Sequence, residues 1–112
     1  MAKPIFEIRD HPAGFRLVRF EIPGGVTSPA EFFAGVCEIE ANLVGALPIY
    51  FSGRGPVWGY GMLLHAAHPT PAIAVFDPRI GYVVVATHTE KYTVGQILPD
   101  PEAEQGLPPT PR

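Results

Sequence analysis

Three short stretches of this chain put chemistry-bearing side chains at useful spacings: Ser52-Gly53-Arg54-Gly55-Pro56, His65 with His68, and Asp77-Pro78-Arg79. His88 follows a little further on. The first stretch stands between an apolar run, Leu47-Pro48-Ile49-Tyr50-Phe51, and a helix that Pro56 suits at its first turn. At such a junction amide N–H groups and the positive end of the helix dipole converge, which favours an anion. Glycines on both sides of Arg54 would let a phosphate approach the backbone, and the guanidinium adds a planar, two-pronged donor. A glycine-rich turn with a solvated arginine has the same sequence, so the motif by itself leaves both readings open. Asp77-Pro78 is equally a common turn starter. His65 and His68, three apart near a helix end, would share a face. They could hold a metal ion or a phosphate, or simply sit as cations where the dipole favours them.

The elements that would position these residues follow from the apolar pattern. Residues 4–9 and 15–22 read as a hairpin joined by Asp10-His11-Pro12-Ala13-Gly14, with Val18, Phe20 and Ile22 on one face of the second strand and Arg19 and Glu21 on the other. This hairpin is expected near a sheet edge, and His11 reads as a polar turn residue. Ser28, Pro29 and Glu31 carry a helix start, and Phe32, Val36, Ile39 and Leu43 make its buried stripe as far as Val44, where Gly45 stops it. Cys37 is expected on the buried side of that helix, and Trp58 in the core. Strands at 47–51 and 72–76, joined by a helix from Pro56 that ends before Pro69, should run parallel through a right-handed crossover. Residues 82–89 then return antiparallel. The expected architecture is a small single-domain α/β fold, a mixed sheet of about five strands with two helices in the order ββαβαββ. It occupies 1–98, with 99–112 as a disordered, proline-rich acidic tail.

This order makes a geometric prediction. Parallelism brings Ser52, Arg54, Asp77 and Arg79 to one edge of the sheet, where ligands of open α/β sheets bind. The second helix carries the chain back by roughly 18–20 Å, so His65 and His68 lie at the opposite edge, and the antiparallel strand delivers His88 there too. No metal bond of about 2.1 Å bridges that gap within one subunit. If both sets act on one ligand, molecules must stack edge to edge.

Composition narrows the function further. The chain has 112 residues, 46% hydrophobic and 17% charged, with a formal net charge of −3 and one cysteine. Its isoelectric point near 5.7 argues against broad tracking along duplex nucleic acid. One cysteine excludes an internal disulfide or a multi-cysteine zinc site. No apolar run approaches the ~18–20 residues of a membrane span. The first residues, Met-Ala-Lys-Pro-Ile-Phe-Glu, are unlike a secretory signal, so a cytoplasmic location is expected.

Taken in order, Ser52-Gly53-Arg54-Gly55-Pro56-Val57-Trp58, His65 with His68, Asp77-Pro78-Arg79 and Val83-Val84-Val85-Ala86-Thr87-His88 resemble the small type III CRISPR-associated ring nucleases, relatives of the CRISPR-associated Rossmann-fold (CARF) sensors. The likeness covers roughly 47–98, and the first 45 residues match only in outline. It implies a Rossmann-like, CARF-like core and cleavage of cyclic tetra-adenylate, the second messenger of type III effector complexes, with Mn²⁺. It also implies trimming of RNA 3′ ends and homodimers that assemble edge to edge into tetramers or filaments around the ring. By motif match Ser52, Gly53, Arg54, Gly55 and His88 would bind ligand. His68, Asp77 and Arg79 would form the catalytic group, and His65, His68 and His88 would bind metal. Competing expectations are a non-catalytic cyclic-oligoadenylate sensor and a Mn-dependent 3′ exoribonuclease that removes adenosines.

Overall fold

The first hairpin forms as its alternation requires: β1 (Ile5–His11) pairs antiparallel with β2 (Phe15–Glu21), from Ile5 opposite Glu21 to His11 opposite Phe15. The computed structural model describes residues 1–101. After a 3₁₀ turn at Pro23–Gly25 comes α1 (Pro29–Ile39), whose start is fixed by the Ser28 hydroxyl accepting the Glu31 amide at 3.2 Å. The helix ends earlier than its apolar stripe. Glu40–Leu43 tighten into a 3₁₀ turn, which turns the Asn42 carbonyl to the Arg16 guanidinium at 2.9 Å. Leu43 nevertheless reaches the core.

The remainder is β3 (Ile49–Gly53), α2 (Val57–Ala66), β4 (Ala72–Asp77), β5 (Gly81–Thr87) and β6 (Ile97–Leu98). Among the described residues the sheet therefore has six strands rather than five. The extra one is two residues long and flanked by turns, too short to carry a period-2 signal. Strand order is sequential, β1 to β6, with β2, β3 and β4 mutually parallel and every other neighbour antiparallel. β1 is an outer strand of this sheet, as the hairpin reading expects, while β2 is interior.

α1 and α2 lie on one face. Val18, Phe20, Ile49, Phe51 and Ile73 from the strands pack there against Phe32 and Val36 of α1 and Leu63 of α2. The other face holds a separate cluster of Phe15, Leu17, Tyr50, Ala74, Tyr82 and Val84, on which Tyr92 and Leu98 of the following segment pack. Two crossovers that step in the same direction must put their helices on the same side. The result is a two-layer mixed α/β fold. A doubly wound sheet reverses its strand order and carries helices on both faces. Among the described residues this one does neither, so the Rossmann-like crevice at a switch point has no counterpart there.

The apolar residues read from the central strands divide accordingly. Ile49, Phe51, Ile73 and Val75 all belong to the helix face, and the opposite face is aromatic, with Phe15 stacked on Tyr50 at 4.0 Å. No helix among the described residues is long and apolar enough to cross a membrane. Of the tail read over 99–112, only 99–101 are described, with Pro101 buried; the rest lies outside the described residues.

Candidate functional site

Register decides what the Ser52–Gly55 segment can do. β3 lies between β2 and β4, with Arg19 opposite Ser52 and Phe20 opposite Gly53. Strand alternation sends Ser52 to the face away from the helices, where it is 0% exposed and its hydroxyl has no hydrogen-bond partner among the described residues. Ser52 therefore does not join Arg54 in an anion cradle at the head of α2. The reason is that β3 continues two residues past the apolar run that marks it in the sequence.

The two glycines have a structural explanation. A Cβ at Gly53 would sit 2.6 Å from both the Phe20 ring and the Phe20 carbonyl oxygen, and one at Gly55 would sit 2.8 Å from the same ring. Phe20 is thus the floor of the loop, and glycine is required there for packing whether or not a ligand comes close. The Tyr60 hydroxyl donates to the Gly53 carbonyl at 2.5 Å, and its ring meets Phe20 edge-on at 5.5 Å. These contacts hold the end of β3 against the first turns of α2. Arg54 stands exposed on this clamped loop. Pro56 at the N-cap brings no side-chain cap, and the first turn of α2 carries no acidic residue. The Val57 and Trp58 amides, which lack intrahelical acceptors by position, therefore stay available next to Arg54. A hollow of about 280 Å³ opens there, bounded by Arg54, Gly55 and Trp58 and by Ile22 and Val26 across from them.

Asp77 ends β4 and turns the chain into β5. Its carboxylate accepts the Arg79 amide at 2.9 Å and grips the guanidinium through Nε at 3.2 Å and Nη2 at 2.9 Å. The Arg79 side-chain hydrogen bonds, then its amide, hold the Asp77 carboxyl below its usual range, and the same pair raises Arg79. An ionised, doubly engaged carboxylate is a poor proton carrier; what it does is fix the guanidinium. The Arg79 side chain is 85% exposed, and its pair with Asp77 uses Nε and Nη2 and not Nη1, a donor that a phosphate can approach. Because β3 and β4 are parallel with Phe51 opposite Val75, the Arg54 loop and the Asp77–Arg79 turn end at the same edge of the sheet.

The histidines stand at the other edge. His68 follows α2, and His88 follows β5, where its amide donates to the Pro71 carbonyl at 2.7 Å beside the start of β4. Their rings meet edge-on at 5.4 Å, with His88 Nε2 3.2 Å from the His68 carbonyl. β4, six residues long, separates this pair from Asp77 by roughly 17 Å at about 3.3 Å per residue. His65 lines the groove between α1 and α2 instead. Among the described residues no group of three or more His, Cys, Asp or Glu is placed to hold a metal ion. Among the described residues the trio His65, His68 and His88 is thus a pair plus an outlier.

Two further expectations change. Cys37 is exposed, because it lies one residue, about 100°, past the buried Val36. Trp58 is 40% exposed and only leans edge-on against Phe32 at 5.8 Å. The motifs read from the sequence do not mark Phe20 or Tyr60 as part of the site. The available signal was the hydroxyl of a tyrosine on a helix's buried side, which needs a partner.

Comparison with known proteins places these motifs together. The Cas_csx3 family of CRISPR-associated proteins matches residues 38–99, a segment that contains every residue discussed from Ser52 to His88. An uncharacterized protein of Aquifex aeolicus (strain VF5) is 53% identical over 51 residues, 45% of this chain and 46% of that relative. The match thus spans less than half the length of this curated relative. With more than half of its length matched by the family, the chain belongs to the CRISPR-associated Cas_csx3 family.

Proposed function

We propose that this chain is a ring nuclease that opens cyclic tetra-adenylate to linear product, and so ends the signal that activates ancillary CRISPR effectors. The observation that carries the reading is the division of the sheet into two polar ends: Arg54 with Asp77–Arg79 at one, His68 with His88 at the other. A cyclic ligand with four phosphates needs several cationic donors spread around a ring, and stacked copies supply them from alternate ends. In this reading Arg79, held by Asp77, takes the charge of the scissile phosphate, and Arg54 holds a neighbouring one. His68 of an apposed copy carries the proton. Homodimers stacking edge to edge would close the sandwich, in the cytoplasm where the messenger is made. Manganese enters as an assay condition only, because one chain's described residues offer two neighbouring imidazoles and no third ligand.

The test incubates purified protein with cyclic tetra-adenylate, with and without Mn²⁺, and separates the products by chromatography. Linear oligoadenylate is expected, and Asp77→Ala or His68→Ala should abolish it while the circular dichroism spectrum stays unchanged. One observation favours a second reading, a non-catalytic sensor: Asp77, the carboxylate beside Arg79, is ionised and engaged by that guanidinium, so it is poorly placed to carry a proton. Ring-dependent assembly on gel filtration with no product over hours would favour the sensor. A faster rate on poly-adenylate 3′ ends than on the ring would favour RNA trimming.

A further inference from the structure

The two flanks of the sheet end differently. On one, β6 is two residues long, with Gly95 before it and Pro99 after it, an ending that discourages another strand. On the other, β1 runs seven residues with no proline inside it and no bulge, pairing without a break from Ile5 opposite Glu21 to His11 opposite Phe15. Among the described residues β2 is the one strand beside it, so half of the β1 amides and carbonyls point away from the sheet. A regular strand open along its length is a template for one more strand.

The side chains say which strand fits. Phe6 and Ile8 pack on the helix face beside Phe20 and Val18, which puts Glu7 and Arg9 on the opposite face. Glu7 accepts the Arg19 guanidinium at 3.2 Å, yet its side chain is 65% exposed and a carboxylate has room for a second donor. Laid antiparallel on a second copy about a twofold through Ile8, β1 sets Glu7 opposite Arg9 of the other copy and Arg9 opposite its Glu7. A register centred on Glu7 would set carboxylate against carboxylate, and one centred on Arg9 guanidinium against guanidinium. Charges on an outer strand usually turn copies away. These two, spaced evenly about Ile8, disfavour the shifted registers and favour the aligned one.

The geometry points to β1 as a self-pairing surface: a second copy adds its own β1 antiparallel, in the register centred on Ile8, and joins two six-stranded sheets into one. The twofold turns both helix layers to the same side and brings each half-buried Ile8 against its equivalent. This contact runs along the flank and leaves both polar ends of the strands open, so it is independent of the ring-nuclease reading.

The test follows full-length protein by sedimentation velocity over a concentration series, without nucleotide. The parent should form a concentration-dependent dimer. Glu7→Arg and Arg9→Glu each set like charges opposite one another in both pairs, and each should weaken the dimer by about tenfold or more. Mixed together, the two variants should dimerise again, because every arginine then meets a glutamate; a residue needed only within its own chain is not rescued in this way. Should the reversed variants fold poorly, Ile8→Cys in a Cys37→Ser background should cross-link to itself on mild oxidation, since directly opposed residues lie within disulfide reach. A monomeric parent, a dimer indifferent to both reversals, a mixture that stays monomeric or an Ile8→Cys protein that fails to cross-link would each overturn the proposal. So would slow amide exchange along the outward row of β1 in the monomeric variants, which would mean that a single chain already covers that strand.

Discussion

Gly55→Ala separates the two reasons a glycine can stand beside Arg54. Gly55 does not occupy the left-handed backbone region, so alanine introduces no backbone strain there, only a methyl group. That methyl would lie 2.8 Å from Phe20 Cε2 and 3.0 Å from Phe20 Cζ, about half an ångström inside ordinary contact. Overpacking of this kind costs about 1–3 kcal/mol, or a fall of roughly 5–15 °C in Tm for a domain this size. Gly61→Ala is the control. It lies within α2 with nothing within 4 Å of a built Cβ, so alanine there should stabilise by about 0.5–1 kcal/mol. The decisive variant is Gly55→Ala combined with Phe20→Leu. Removing the ring edge should relieve the clash, so the two changes together should cost less than their sum by about 1 kcal/mol or more in a urea-denaturation cycle. Binding of cyclic tetra-adenylate to the double variant then reads the ligand's demand separately: retained binding means that the glycine serves packing alone. Additive costs, or a Gly55→Ala variant as stable as the parent, would refute the assignment of Phe20 as the floor of the loop.

Other consequences follow from the same contacts. Tyr60→Phe removes the hydroxyl that ties α2 to the Gly53 carbonyl and should cost about 1 kcal/mol, seen as a Tm lower by about 5 °C; an unchanged Tm would mean that the clamp is immaterial. Because the folded Asp77 carboxyl lies below its ordinary value of 3.8, its ion pair contributes fully above that pH and is lost as the pH falls through the lowered value. An NMR titration of the Asp77 carboxyl carbon should therefore give a midpoint under 3.8, and Arg79→Ala should move it up; a midpoint at or above 3.8 in the parent protein contradicts the geometry. Mixing Asp77→Ala with His68→Ala, each inactive alone, should restore roughly a quarter of wild-type ring cleavage, since random stacking makes that share of seams with both intact ends. No restoration would mean that the two ends act within one chain or not at all.

How much of this was legible beforehand depends on the range of the signal. Ser28 and Pro29 announced α1, and the alternation in 15–22 announced β2, because caps and pleats are local codes. Parallelism of β3 and β4 followed from a single crossover, and with it came the shared edge of Arg54 and Asp77. What escaped depended on register and on distant neighbours. Whether β3 ends at Phe51 or Gly53 decides which way Ser52 faces, and apolar content does not report that boundary. The fit of Phe20 beneath Gly53 and Gly55 depends on which strand lies beside β3, a non-local fact. Cys37 and Trp58 sit on helix flanks, where one step of 100° changes burial, and their apolar character alone did not place them.

The separation of the polar ends has a chemical consequence independent of the ligand's identity. Arg79 is already satisfied by Asp77, so an incoming phosphate must either add to the Nη1 outside that pair or compete with the carboxylate. Addition preserves the ion pair and holds the phosphate against a charge fixed in place, whereas competition would release a carboxylate next to an anion and be opposed electrostatically. In the proposed reading the arginine end holds the phosphate on the guanidinium that Asp77 fixes, and His68 of an apposed copy carries the proton. Ring cleavage shared between copies in this way needs the head of one sheet to meet the foot of another, so dilution below the stacking equilibrium should extinguish it more steeply than first order in protein.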